Sequence, residues 1–196
     1  MRLGLFLLSI TALQAAETIT ALGQTWKVPY ANEWVGTKDS LVMLTARPQE
    51  SNPRAPIQYA LLEGKEFESF RLECEVKRDS NSLILVYNWQ DPTHFNYVHL
   101  SVDSPEKQPV HNGVFHVFGG DRVRISKTKG EGSLPNNEWT PVVLDYNATT
   151  GHMSVTVAGK KFAGLEAADL SLTKGKVGLG SFFETAQFRS FKVTAK

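Results

Sequence analysis

The sequence predicts an all-β protein built as one antiparallel sandwich. Three observations lead there. Phe70-Arg71-Leu72-Glu73-Cys74-Glu75-Val76-Lys77 alternates apolar and charged residues with a period of two, the mark of a half-buried strand. Many other short runs rich in β-branched and aromatic residues are separated by turn clusters. Only Leu165–Leu170 has helical character, enough for one or two turns.

Along the chain, residues 1–16 come first. Arg2 precedes an apolar run from Leu3 to Leu13, and Ala15 and Ala16 follow as small residues. This is the layout of a secretory signal peptide, and the run is shorter than the roughly 20 residues that cross a bilayer. The expectation is a leader over 1–16, a single sandwich domain over 17–196, and a secreted or periplasmic location. Weak strand candidates are Trp26–Val28, Leu41–Leu44 and Gln58–Leu62. Stronger ones follow the 70–77 run: Leu83–Trp89, Phe95–Val102, Val114–Phe118, Val123–Ser126, Val142–Tyr146, Met153–Ala158, Lys176–Phe182 and Phe188–Thr194. Gly119-Gly120-Asp121, Asn147–Gly151 and Gly159-Lys160 supply turn chemistry between them. Longer loops fall at Arg47–Pro56, Asp103–Asn112 and Lys127–Asn137.

Composition removes several function classes. The chain has 21 Lys+Arg against 20 Asp+Glu, so nothing electrostatic favours nucleic acid or an anionic membrane surface. No membrane association is expected after leader cleavage. One cysteine, Cys74, excludes an intramolecular disulfide framework, and its place on the apolar face of 70–77 makes it a core residue. No G-x-S-x-G, P-loop, G-x-G-x-x-G, H-E-x-x-H or paired-carboxylate E-x-D-x-x-E motif is present. No cofactor and no resident metal are expected. Asn147-Ala148-Thr149 matches a glycosylation sequon, but in this setting it reads as plain turn chemistry.

Four of the five histidines, His94, His99, His111 and His116, fall within one stretch. Strand pairing gives them a setting. If Val98 and Leu100 share a core face with Val117 and Phe115, then His99 lies opposite His116. A three-residue turn at Gly119–Asp121 then places Arg124 beside His116 and Arg122 beside Phe118. A two-residue turn would set both arginines against Phe115 and Val117, which the cost of burying a guanidinium disfavours. Pairing Val86 with Val98 puts Tyr87 beside Tyr97 and Trp89 beside Phe95. The expected ligand-binding set on this face is Tyr87, Trp89, Tyr97, His99, His116, Arg122 and Arg124.

Aromatic faces stack on the C–H faces of sugars while polar tips bond hydroxyls, so the expected partner is a glycan or oligosaccharide. Arginines suit a carboxylated or sulfated one. Three alternatives stand beside this. The face is merely solvated, or covered by the 47–56 loop. It is catalytic, with His99, His116 and Arg124 as candidate groups for lyase-like elimination, or with hydrolysis of glycosides or 3-keto-disaccharides. Or His99 and His116 hold a metal.

With these residues named, the chain resembles the concanavalin A-like lectin/glucanase superfamily, and within it laminin G-like and 3-keto-disaccharide hydrolase-like secreted domains. The likeness is carried by NWQDPTHFNYVHLS (88–101), HNGVFHVFGGDRVRIS (111–126), NNEWTPVVLDYNATTGHMSVTVAGK (136–160) and GKVGLGSF (175–182). It implies a two-sheet antiparallel jelly roll whose concave face often binds glycans. It assigns no catalytic residue, because the superfamily includes lectins, hydrolases and lyases.

Overall fold

The computed structural model describes residues 17–47, 54–102, 111–134, 137–182 and 184–196. The expected leader lies outside the described residues, as do most of the 47–56 and 103–112 loops.

Among the described residues, fifteen strands form two sheets, with every pairing antiparallel. The eight-stranded sheet runs β1 (Glu17–Ala21), β2 (Gln24–Val28), β5 (Gln58–Leu62), β14 (Lys176–Ser181), β7 (Ser82–Asp91), β8 (His94–Ser101), β9 (Gly113–Phe118), β10 (Asp121–Arg124). The seven-stranded sheet runs β13 (Lys160–Ala168), β12 (His152–Val157), β11 (Thr140–Tyr146), β6 (Phe70–Arg78), β15 (Ala186–Ala195), β4 (Ser40–Met43), β3 (Trp34–Gly36). The two-sheet sandwich implied by the sequence is the observed architecture.

The alternation in 70–77 does what it predicts. Phe70, Leu72, Cys74 and Val76 enter the inter-sheet core while their neighbours stay half-exposed. Burial pushes the Cys74 thiol up to about 12, so it is inert at neutral pH. Asn147 Oδ1 accepts the amides of Thr149 at 2.9 Å and Thr150 at 3.2 Å, which is the turn chemistry expected there. Leu165–Leu170 is not helical. Its first four residues complete β13, where Leu165 and Ala167 are buried. Pairing with β12 decides the matter over local propensity, as it does in edge strands generally. β1 and β3 carry little periodicity and were not expected.

The eight-stranded sheet is apolar on both faces. Leu83, Leu85, Tyr87, Val98, Leu100 and Val114 face the other sheet. Tyr59, Leu61, Ile84, Val86, Phe95, Tyr97, Phe115 and Val117 form a second layer on the outer face, under Ala55 and Phe182. This second layer overturns three expected registers. β8 and β9 pair Val98 with Val114, Tyr97 with Phe115 and Asn96 with His116, so His99 meets Gly113 and not His116. β7 and β8 pair Leu85 with Val98, Val86 with Tyr97 and Tyr87 with Asn96. β9 and β10 join through a two-residue turn, Gly119-Gly120, with φ of 72° and 101°. Two positive φ values in succession are the hairpin geometry that Gly-Gly favours. Val117 therefore meets Arg122, and Phe115 meets Arg124, the register that the sequence argument rejected.

The described residues between β4 and β5, 44–47 and 54–57, form a strap, and its Ala55 packs on the outer layer. Its anchor is Glu33, a buried carboxylate in the 3-10 turn Ala31–Glu33. Arg47 Nε donates to Glu33 Oε1 at 2.6 Å and Gln58 Nε2 donates to Glu33 Oε2 at 2.9 Å. The Arg47 guanidinium also lies 4.0 Å from the Tyr30 ring centroid. Removing the carboxylate leaves one N–H of the buried Gln58 amide without an acceptor, the other still meeting the Thr45 carbonyl at 3.1 Å. Glu33→Ala is expected to lower unfolding free energy by about 1–3 kcal/mol in urea titrations. Unchanged stability would show that the anchor contributes nothing.

Candidate functional site

The outer face of the eight-stranded sheet carries an open groove of about 430 Å³ beside the strap. Trp89 and Tyr59 line it together with Val28, Pro29 and Leu61, and Ala55, Pro56 and Ile57 of the strap border it. Thr93 and Gly120 close one end, at the β7–β8 and β9–β10 turns.

Local sequence explains how Trp89 reaches this face. Tyr87 points into the inter-sheet core, packed 5.5 Å from the Tyr146 ring. Strict alternation would send Trp89 the same way. Asn88 instead takes φ 50°, and the β14–β7 ladder shifts there, so Trp89 turns outward opposite Lys176. Glycines just before β14 and within it let neighbouring backbone approach closely. A Cβ at Gly180 would lie 2.3 Å from the Gln58 carbonyl, and one at Gly175 would lie 2.5 Å from the backbone of Asn88 and Trp89. Such distances exclude any side chain, which gives the G-x-V-G-x-G stretch a physical meaning.

Trp89 is half-buried and fixed in place. Its Nε1 donates to Tyr59 Oη at 3.0 Å, and Tyr59 packs on Phe95 with ring centroids 5.5 Å apart. Burial pushes the Tyr59 phenol up to about 12, so it stays neutral. Lys176 Nζ lies 5.9 Å from the Trp89 centroid and pairs with Glu63 at 2.8 Å.

The expected ligand-binding set divides. Trp89, Tyr97, His99, Arg122 and Arg124 do share the outer face. Tyr87 lies in the core, and His116 lies on the opposite face of β9. Within the shared set, Arg124 is a structural clamp. Its guanidinium donates to the carbonyls of Asn112 at 3.2 Å, Ser126 at 3.2 Å and Thr128 at 3.0 Å. It occupies the volume a side chain at Gly113 would need. Burial lowers the Arg124 pKa. Arg122 covers the aromatic layer, 4.6 Å from the Phe182 centroid, and donates to Tyr97 Oη at 3.3 Å. These partners explain why the rejected hairpin register is favourable: neither guanidinium is buried unpaired.

His99 is wholly buried among Tyr97, His111, Phe115 and Phe182, and neither ring nitrogen has a hydrogen-bond partner. Burial, reinforced by nearby His111 and Arg122, holds its pKa well below the usual imidazole range. The trio His99, His116 and Arg124 is therefore not one catalytic constellation, and the two imidazoles do not share a metal. Among the described residues, no group of three or more His, Cys, Asp or Glu is placed to hold a metal ion.

Tyr59, Pro29 and the strap residues Ala55–Ile57 are not among the residues the sequence pointed to. Gln58–Leu62 is buried throughout and nearly continuously apolar, so it carries no sign of which side chains reach an outer groove.

No protein-family model matches the sequence, and no curated protein matches it. Solved structures do share the fold. The carbohydrate-binding module CBM66 from Bacillus subtilis superposes with a TM-score of 0.57 at 12% identity, covering 79% of this chain and 94% of that one. A putative glycosyl hydrolase from Parabacteroides distasonis gives 0.59 at 17% identity, covering 86% and 93%. Winged bean acidic lectin, complexed with methyl-α-D-galactose, gives 0.52 at 11% identity, covering 82% and 89%. The chain has the concanavalin A-like jelly-roll fold of these lectins and modules.

Burial of His99 sets a pH dependence. Its folded pKa lies well below the unfolded value of about 6.5. Between the two, the unfolded chain binds a proton that the folded chain refuses. Stability is therefore complete above about pH 6.5 and falls as pH drops, by at most about 1.4 kcal/mol per unit for this group. His111 and His116 are also lowered and act in the same direction. Urea titrations at stepped pH are expected to show a shallower acid loss for His99→Phe than for the wild type. Equal slopes would mean that His99 accepts its proton in the folded state.

Proposed function

We propose that this protein is a carbohydrate-binding β-sandwich domain whose glycan lies in the groove beside Trp89. The observation that carries the reading is the indole itself: held by Tyr59, half-exposed, and set in an open groove on a sheet face. A rigid aromatic platform stacks on a sugar ring with little entropic cost, and Thr93 and Lys27 at the groove edge supply polar contacts. The fold supports it, since similar structures include a carbohydrate-binding module and a galactoside-bound lectin.

Binding is favoured over hydrolysis by the groove lining. Among its described residues none is Asp, Glu or His, whereas glycoside hydrolysis uses a pair of carboxyl groups. Export of the domain rests on the leader-like sequence of residues 1–16.

Isothermal titration against a panel of neutral glycans tests the reading. Trp89→Ala is expected to weaken binding about tenfold while the domain stays folded by circular dichroism. Absence of binding across the panel, or an affinity indifferent to Trp89→Ala, would overturn it.

A further inference from the structure

The groove leaves His94, His116 and Phe118 unused. These three meet on the other side of the rim that closes the groove. The rim is where the β7–β8 and β9–β10 turns touch, with Gly120 N donating to the Thr93 carbonyl at 3.2 Å. Thr93 and Gly120 line the groove on one side. On the other side Phe118 stands 59% exposed. Val123, beside His116 in the β9–β10 pairing, is 61% exposed.

Phe118 sits between two imidazoles. His94 is edge-on at 4.7 Å and 89°, and His116 is nearly parallel at 5.4 Å and 19°. Each imidazole is held by a carboxylate. His94 Nδ1 lies 3.0 Å from Asp91 Oδ2, and His116 Nδ1 lies 3.3 Å from Asp169 Oδ2 and 2.8 Å from Asn96 Oδ1. The carboxylates are themselves fixed. Thr93 donates to Asp91 through N and Oγ1, both at 2.7 Å, and Ser171 donates to Asp169 through Oγ at 2.7 Å. Phe118 and Val123 together leave apolar surface exposed beside two pre-oriented polar pairs.

The chemistry of this platform is specific. Both Nδ1 atoms face acceptors, so in the neutral rings Nδ1 carries the proton and Nε2 is left to accept. With two carboxylates alongside, the polar rim of Phe118 is rich in acceptors. Such a rim takes hydroxyl donors and repels carboxylated or sulfated rings.

We propose that Phe118, with His94 and His116, forms a second sugar subsite, and that one linear neutral oligosaccharide runs from the Trp89 groove over the Thr93–Gly120 rim onto it. The proposal rests on the glycan reading of the groove and adds the class of ligand: a neutral chain of several units, not a single ring or a uronate.

Titration with cello-, manno- and inulo-oligosaccharides, each from disaccharide to hexasaccharide, tests this on the full domain. For the series that binds, wild-type affinity is expected to rise about tenfold from shortest to longest. Phe118→Ala, a surface change checked by its melting temperature, is expected to abolish that rise and leave disaccharide affinity unaltered. Trp89→Ala is expected to weaken every length. Oligogalacturonides are expected to gain nothing with length. Disaccharide binding at the groove with no length dependence, or a length dependence that survives Phe118→Ala, would overturn the second subsite while leaving the groove intact. A gain with oligogalacturonide length would overturn the neutral class. No binding by any series at any length would overturn the glycan reading and the subsite with it.

Discussion

The rest of the structure depends on one constraint: the eight-stranded sheet has two apolar faces and must cover both. One is covered by the seven-stranded sheet. The other, built from Tyr59, Ile84, Val86, Phe95, Tyr97, Phe115 and Val117, is too large to leave in water. At about 25 cal/mol per Å², even one exposed aromatic of this size costs as much as a good core contact. Ala55 of the strap and Phe182 supply part of the cover. Glu33 ties the start of the strap to the sheet, because its carboxylate joins Arg47 on the strap to Gln58 on β5. The groove is what remains where the cover stops.

This constraint also explains which parts of the molecule were legible in the sequence. Strand positions were legible wherever one face was charged, as in 70–77, because alternation then names the buried side. Register was not legible in 83–89, 95–102 and 114–118. There both faces are apolar, and a slip by an odd number of residues exchanges one apolar set for another. His99 against His116 was such a slip. The arginines misled for a related reason. A guanidinium against Phe115 is costly when buried alone, but here it lies at a sheet edge, over aromatic rings, with carbonyls and a phenol to accept its protons. Gly119-Gly120 held the correct answer, since two consecutive glycines specify a two-residue hairpin more firmly than the burial argument opposed it.

Of the groove, only Trp89 was legible in the sequence. The aromatic, imidazole and guanidinium groups between positions 87 and 124 are divided between two faces of the sheet. Their division between faces is set by two local features without hydrophobic periodicity. One is the positive φ at Asn88, which turns Trp89 outward after Tyr87 has turned inward. The other is the odd offset between β8 and β9, which sends His116 to the face of Asn96. Neither leaves a pattern that residue alternation can detect.

The buried polar groups separate scaffold from surface chemistry. Glu33 has its acceptor sites filled, and the Arg124 guanidinium donates to several carbonyls, so each returns the cost of its own desolvation. His99 does not, because both nitrogens are orphaned at a cost of about 1–3 kcal/mol each. The fold tolerates it because the imidazole is neutral and stacks on Phe182 at 5.8 Å, behaving as an aromatic in an aromatic layer. The two imidazoles at the rim differ from His99 in this respect. His94 and His116 keep partial exposure, with carboxylates fixing their tautomers. Beside the β7–β8 and β9–β10 turns, then, the sheet carries two imidazoles oriented by carboxylates. The outer layer that first drew attention to these histidines serves to carry those turns.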